Sequence, residues 1–417
     1  MMDKKNVASR AGARRYLLGG LGMLVWLASA AAFADDDIPW QPSFGGVASV
    51  VAQRVNAAGV EAGQPRTRMH YRADLTGEIG MGRIGDAGLR GFGHVRFGQG
   101  AGIATRPTYT GTVDSTAYTV GSAEGSDYAI IAQAYLQLTV PLGRGPVKDP
   151  RRWLEVTAGK LEPFAHFDQN DIADNEAVAF MNNVFVHNPI LDSGGDAGTG
   201  PYGFGPGIRV AYFAKTDRGY KLSASLAAYA TGQPASFHGN PTRKPFKIMQ
   251  FGFYPMNAEG EDTGAYRLSI WQNRRGEDFD GTPRAHTGWG LSVHQHLGSG
   301  SFFGRFGRHI QGIDSFEWAL TLGWEQRGGG WGRPRDAIGV GLGTLHTDPR
   351  YAAATAADPA IVGFAASGSE RVLELFYRAG LTERFQLTPS VQVVKRPGGD
   401  ATAPAIVVWG LRARYEF

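Results

Sequence analysis

The stretch Ala405-Ile406-Val407-Val408-Trp409-Gly410-Leu411-Arg412-Ala413-Arg414-Tyr415-Glu416-Phe417 decides the fold. Read with a period of two, one face carries Ala405, Val407, Trp409, Leu411, Ala413, Tyr415 and Phe417 and is wholly apolar. The other carries Ile406, Val408, Gly410, Arg412, Arg414 and Glu416 and turns charged toward the end. Successive side chains of a β-strand point to opposite faces, so this alternation marks a strand between an apolar and a polar medium. Upstream stretches repeat it. Phe385, Leu387, Pro389, Val391 and Val393 alternate with Gln386, Thr388, Ser390 and Gln392. Phe316, Trp318, Leu320, Leu322 and Trp324 alternate with Glu317, Ala319, Thr321, Gly323 and Glu325. Ile130, Ala132, Ala134, Leu136 and Leu138 alternate with Ile131, Gln133, Tyr135, Gln137 and Thr139.

A two-sheet sandwich would need strands of only about 5–6 residues. Strands tilted across a bilayer need about 9–11, which matches the segments here. Aromatics near strand ends (Trp153, Trp289, Trp324, Tyr415, Phe417) suit interfacial girdles. The expected architecture is therefore all-β: a transmembrane antiparallel β-barrel of about 16 strands. The spans are 44–55, 66–79, 87–98, 128–140, 153–161, 205–214, 220–231, 246–256, 264–273, 286–297, 300–308, 315–325, 336–346, 369–379, 384–395 and 404–417. One miscounted hairpin would change the total by a pair. Connections after odd strands are long at 99–127, 162–204 and 347–368, and several after even strands are short turns. That asymmetry is expected of outer-membrane barrels.

The 60 glycines follow no G-X-Y period, which excludes collagen, and the aromatic content of 11% argues against disorder. The formal charge of +4 is misleading. Lys4, Lys5, Arg10, Arg14 and Arg15 against Asp3 account for all of it, so the basic pI is no sign of nucleic-acid binding. Residues 1–34 read as a cleaved signal peptide: a basic start, an apolar stretch from Leu17 to Ala31, and Ala32-Phe33-Ala34 before Asp35. Residues 35–417 are then the barrel. With no Cys there is no disulfide staple for an exported chain. A closed sheet must hold it.

Some stretches also resemble a known family. Glu370-Arg371-Val372-Leu373-Glu374-Leu375-Phe376-Tyr377, Leu387-Thr388-Pro389-Ser390-Val391-Gln392, Pro397-Gly398-Gly399 and Val407-Val408-Trp409-Gly410-Leu411-Arg412 are similar to the C-terminal signature of the carbohydrate-selective porins, OprB type. Gly159-Lys160-Leu161, Phe167-Asp168-Gln169-Asn170, Phe180 and Asn182-Asn183 resemble that family's third-loop region. The resemblance implies a sixteen-stranded outer-membrane channel for sugars. It also implies that terminal Phe417 is read by the barrel-assembly machinery.

A channel for a neutral, hydroxyl-rich solute needs many weak polar contacts. On the polar faces, Arg68, His70, Arg72 and Asp74 of one strand and Arg90, Phe92, His94 and Arg96 of the next form a basic ladder on one wall. Arg209, Arg267 beside Trp271, and Arg305 add positive charge elsewhere. Glu155, Glu317, Glu325 and Glu374 are the acidic counterpart, with Gln133 and Tyr135 as further pore-lining groups. The connection 162–204 is expected to fold inward as the constriction. Its Asp168, Asn170, Asn182 and Asn183 would face the ladder across a transverse field. Arg412 is expected to bear its charge in water.

Ser292, His294 and His296 share one face, but the sequence places no third metal ligand and no catalytic acid beside them, so they read as a solvated pair. Gly339-Val340-Gly341-Leu342-Gly343 resembles a nucleotide loop only superficially, because no helix follows; small inward residues of a strand explain it. The expectation is a passive sugar channel without cofactor, metal or enzymatic activity, in contact with outer-membrane lipids. An exporter of acidic polysaccharide and a non-selective porin are the alternatives. The exporter would need a wider, more uniformly positive lumen.

Overall fold

The computed structural model describes residues 42–117, 127–143, 150–192, 203–231 and 244–417. The leader and its cleavage point lie outside them. The strands are β1 (Ser43–Val55), β2 (Thr67–Ile84), β3 (Ala87–Gln99), β4 (Asp127–Pro141), β5 (Arg152–Leu161), β6 (Gly205–Lys215), β7 (Tyr220–Tyr229) and β8 (Phe246–Pro255). They continue as β9 (Gly264–Asn273), β10 (His286–Leu297), β11 (Gly300–Gln311), β12 (Phe316–Arg327), β13 (Ala337–Thr347), β14 (Ser369–Gly380), β15 (Phe385–Lys395) and β16 (Ile406–Glu416). Each pairs antiparallel with its sequence neighbours, and β1 pairs with β16 to close the barrel. At the seam the backbones of Gly46 and Phe417 bond in both directions, at 3.1 and 3.0 Å. Closure leaves no strand edge with unpaired backbone groups, the condition for crossing hydrocarbon.

The two faces separate as the alternation requires. Leu226, Phe251, Leu268, Leu342, Trp409 and Leu411 are exposed, whereas Arg209, Arg267, Arg305, Glu374, Gln392 and Arg412 are buried. The exposed apolar face is the outside of the barrel and the buried polar face its inside. Two strands depart from the expected phase, each at a bulge, where one extra residue turns the chain over. Between β3 and β4 the register slips at His94 and Val95 of β3, with Ala132 of β4 the extra residue, so Ile130 lies opposite Arg96 and Ile131 opposite Val95. Ile130 thus shares the inward side with Arg96, the reverse of the strict alternation. In β12 the register shifts between Phe316 and Trp318, and Phe316 packs buried against Tyr109, with ring centroids 5.4 Å apart.

Among the described residues, helical structure is confined to connections. Short helices α1 (Asn183–Val186) and α2 (Pro189–Asp192) lie between β5 and β6, and α3 (Pro349–Ala357) lies between β13 and β14. Among the described residues no helix is long and apolar enough to cross a membrane.

Candidate functional site: the lumen wall and the segment after β5

The segment after β5 is bonded to inward-facing side chains of strands on much of the circumference. The Glu374 carboxylate accepts the backbone N–H groups of Met181 and Asn182, both at 2.9 Å. The Asn182 side chain donates to Gln392 Oε1 at 2.9 Å and accepts from the Val184 N–H, capping α1. Arg412 donates to the carbonyls of Glu176 (2.6 Å), Val178 (2.6 Å) and Ala179 (3.0 Å). It is 1% exposed, so the water expected around it is replaced by peptide carbonyls. Arg305 donates to the carbonyls of Ala173, Phe185 and Asp168. It also pairs with the Asp168 carboxylate at 2.9 Å.

That carboxylate accepts the Asn188 N–H at 2.7 Å as well, and Asp168 holds a left-handed backbone, φ 58°. A non-glycine residue tolerates this where its surroundings over-determine it. The Asp168 N–H donates to Gln250 Oε1, and Asn170 Nδ2 donates to the Val293 carbonyl at 3.0 Å. Arg267 donates to the Gln169 carbonyl at 2.7 Å.

Apolar packing accompanies these bonds. Phe180 lies 5.2 Å from Phe185, 5.3 Å from Phe303 and 5.0 Å from Phe376, centroid to centroid. The glycines of β13 make room for it. A Cβ on Gly341 would sit 3.0 Å from the Phe180 and Phe185 rings, and one on Gly343 would sit 2.5 Å from Val184. The glycine-rich stretch is therefore a close-approach surface, as small inward strand residues allow.

A second group of residues borders open space. A cavity of about 1620 Å³ is lined by Arg72, Asp74, His94 and Arg96 of β2 and β3, by Arg414 of β16, and by Glu162, Asp174, Glu176 and His187 of the segment after β5. The expected basic ladder is instead neutralised at its centre. Asp74 accepts from Arg72 Nε (2.9 Å), Arg96 Nε (2.6 Å) and His94 Nε2 (2.8 Å). Arg72 reaches across to Glu176 at 2.5 Å. Burial acts to raise the Glu176 carboxyl, but Arg72 and Arg96 outweigh it and hold the group below the usual carboxylate range. Burial pushes Glu162 and Asp174 up. For His187, burial works downward, but Asp192 at 3.3 Å outweighs it and raises the imidazole. His187 stacks on Phe164 at 3.8 Å, and Arg96 lies over Phe204 at 5.3 Å.

The remaining expected residues lie apart from one another, singly or in small groups. Arg68 donates to the Gly102 carbonyl and to Gln64, and His70 Nε2 lies 3.0 Å from Thr116 Oγ1, so both serve the connection after β3. Asn183 borders the cavity and accepts from Ser115 at 3.1 Å. Phe92 stacks on Tyr135 at 4.8 Å, Gln133 donates to Glu162 at 3.2 Å, and Arg209 pairs with Glu155 at 2.9 Å. Trp271 is buried against Gly288. Asp168, Asn170, Asn182, Arg267, Arg305 and Glu374 fasten the segment to the wall and do not border the cavity. Asp174, which does border it, stands in the acidic run Asp168, Asp171 and Asp174 of the connection expected to form the constriction, whereas Glu162 and Glu176, which also border it, were not singled out in the sequence. The nearest signal was their position flanking the Asp-rich run.

The family model described as "Carbohydrate-selective porin, OprB family" matches residues 52–417. No curated protein matches the chain. Among solved structures, the high-pH structure of OprB from Pseudomonas putida superposes with a TM-score of 0.67 at 16% identity, covering 90% of this chain and 94% of that one. The outer membrane channel DcaP of Acinetobacter baumannii gives 0.53 at 14% identity, covering 92% and 99%. At such identities the structural likeness speaks for the fold.

Proposed function

The chain belongs to the carbohydrate-selective porin family, OprB type, and we propose that it conducts sugars passively across the outer membrane past a polar constriction. The observation that carries this reading is that Arg72, Asp74, His94 and Arg96 line one cavity inside a closed barrel together with Glu162 and Glu176. Guanidinium forks donate to vicinal hydroxyls and carboxylates accept from them, so a pyranose can exchange its water for weak contacts with both kinds of group. Neither sign of charge dominates, which suits an uncharged solute. The segment after β5 is the constriction in this reading. It bonds to inward side chains of β8 to β11 and β14 to β16, whereas an exporter of acidic polymer calls for a wide, uniformly positive lumen.

The proposal extends to the surroundings. The exposed apolar face meets lipid, Phe417 is the residue offered to the assembly machinery, and the leader is removed after Ala34. Nothing in this mode of transport calls for a cofactor or for chemistry on the solute. Liposome swelling with size-matched neutral sugars, acidic sugars and amino acids tests the reading. Faster entry of neutral sugars is expected; equal rates for all three would make the protein a general porin.

A further inference from the structure

The sequence placed His294 and His296 on one strand face without a third partner. The segment after β5 supplies one. Asp171 Oδ2 lies 3.2 Å from His294 Nε2 and 3.5 Å from His296 Nε2. The three ligand atoms all fall within 4.8 Å of one another. Ligands held 2.0–2.1 Å from a tetrahedral zinc ion lie about 3.3 Å apart, so two of the three separations are already those of a metal site.

We propose that Asp171, His294 and His296 form a binding site for a divalent transition metal of the zinc class, distinct from the sugar path. The donor set, two imidazoles and a carboxylate, suits zinc and leaves a fourth position for water. The surroundings fit that use. Both histidines stand on β10, a paired strand within the closed sheet. His296 Nδ1 lies 2.9 Å from Ser301 Oγ, a partner to which it can donate while Nε2 is left for metal. The Asn170 amide is tied to the Val293 carbonyl, which fixes Asp171 opposite the pair. One contact must yield: the Asp171 N–H points at His294 Nδ1 at 3.4 Å, the weak end of hydrogen bonding, and a metal on Nε2 moves the ring proton to Nδ1. Asp171 is exposed and His296 half-buried, so an ion can enter. Bound there, it would clasp the segment to β10.

The test is isothermal titration of Zn²⁺ into the chelator-stripped, untagged, detergent-solubilised protein, beside D171N, H296A and the double variant H294A/H296A. Heat-modifiable gel migration confirms that each variant is folded. One Zn²⁺ per chain is expected for wild type, with affinity lowered at least about ten-fold in D171N and in H296A. Zn²⁺ should also raise the unfolding temperature of wild type and not of D171N. D171N, changed at an exposed position, carries the test if a histidine variant fails to fold. Absence of saturable binding to wild type, or equal binding in D171N and the folded histidine variants, would overturn the proposal. Sugar flux is not the readout, so failure here leaves the channel reading untouched.

Discussion

Asp74 holds the centre of the lumen wall, because three donors from two strands converge on one carboxylate. Its removal should expose what it neutralises. In Asp74→Asn, Arg72 and Arg96 lose their shared counter-charge, and the reversal potential in a salt gradient should shift toward anion selectivity. A shift toward cations would contradict the assignment. Facing can be tested on two adjacent residues of β16. Leu411→Arg puts a charge against lipid, at a cost of about 2–4 kcal/mol near mid-membrane, and should reduce the folded fraction on heat-modifiable gels. Arg412→Leu should keep the barrel folded while raising conductance and current noise, because the carbonyls of Glu176, Val178 and Ala179 lose their donor. Wild-type conductance in Arg412→Leu would mean that those bonds do not hold the segment. Acidification adds a further expectation. Glu162 and Asp174 are raised by burial, so they take up protons at higher pH than ordinary carboxylates, while Glu176, held low by Arg72, stays charged longer. Lowering the pH from neutral should therefore make the lumen more positive, read as growing anion selectivity.

The strands were legible because period-two alternation is a local property, and the facing of β16 followed from it residue by residue. The phase of β4 beyond Ala132 and of β12 at Phe316 was not legible, since a bulge adds a residue without changing composition. The segment after β5 has no period to read. Its partners lie far off in sequence: Arg72 meets Glu176, and Arg412 meets Val178. Side-chain type alone therefore assigned Asp168 and Arg305 to the pore, where the fold uses them as a clasp. The aromatic packing of this segment gives a prediction at its own scale. Phe180→Ala with Phe185→Ala removes side chains whose loss from a core costs about 3–5 kcal/mol each. Since they join the segment to the wall and not strand to strand, the barrel should still migrate as folded while protease cuts the segment. Wild-type protease resistance would show that polar bonds alone suffice.

At the scale of the whole molecule, the closed sheet and its segment divide the work. Sixteen paired strands satisfy the backbone and present an apolar exterior. The interior is unequal: residues of the connection after β5 bond to inward side chains of β8 to β11 and β14 to β16, and the charged residues of β2 and β3 line the cavity. Selectivity in this account comes from that asymmetry. The sequence showed the barrel and the resemblance implied the solute, but which charges border the cavity emerged only when the segment was placed. The most direct test is titration of a neutral sugar against the ion current through single channels, in wild type and in the folded double variant Arg72→Ala with Arg96→Ala. The account predicts saturable inhibition in wild type, weakened in the variant together with a change in conductance. Wild-type conductance and wild-type sugar inhibition in the variant would contradict it.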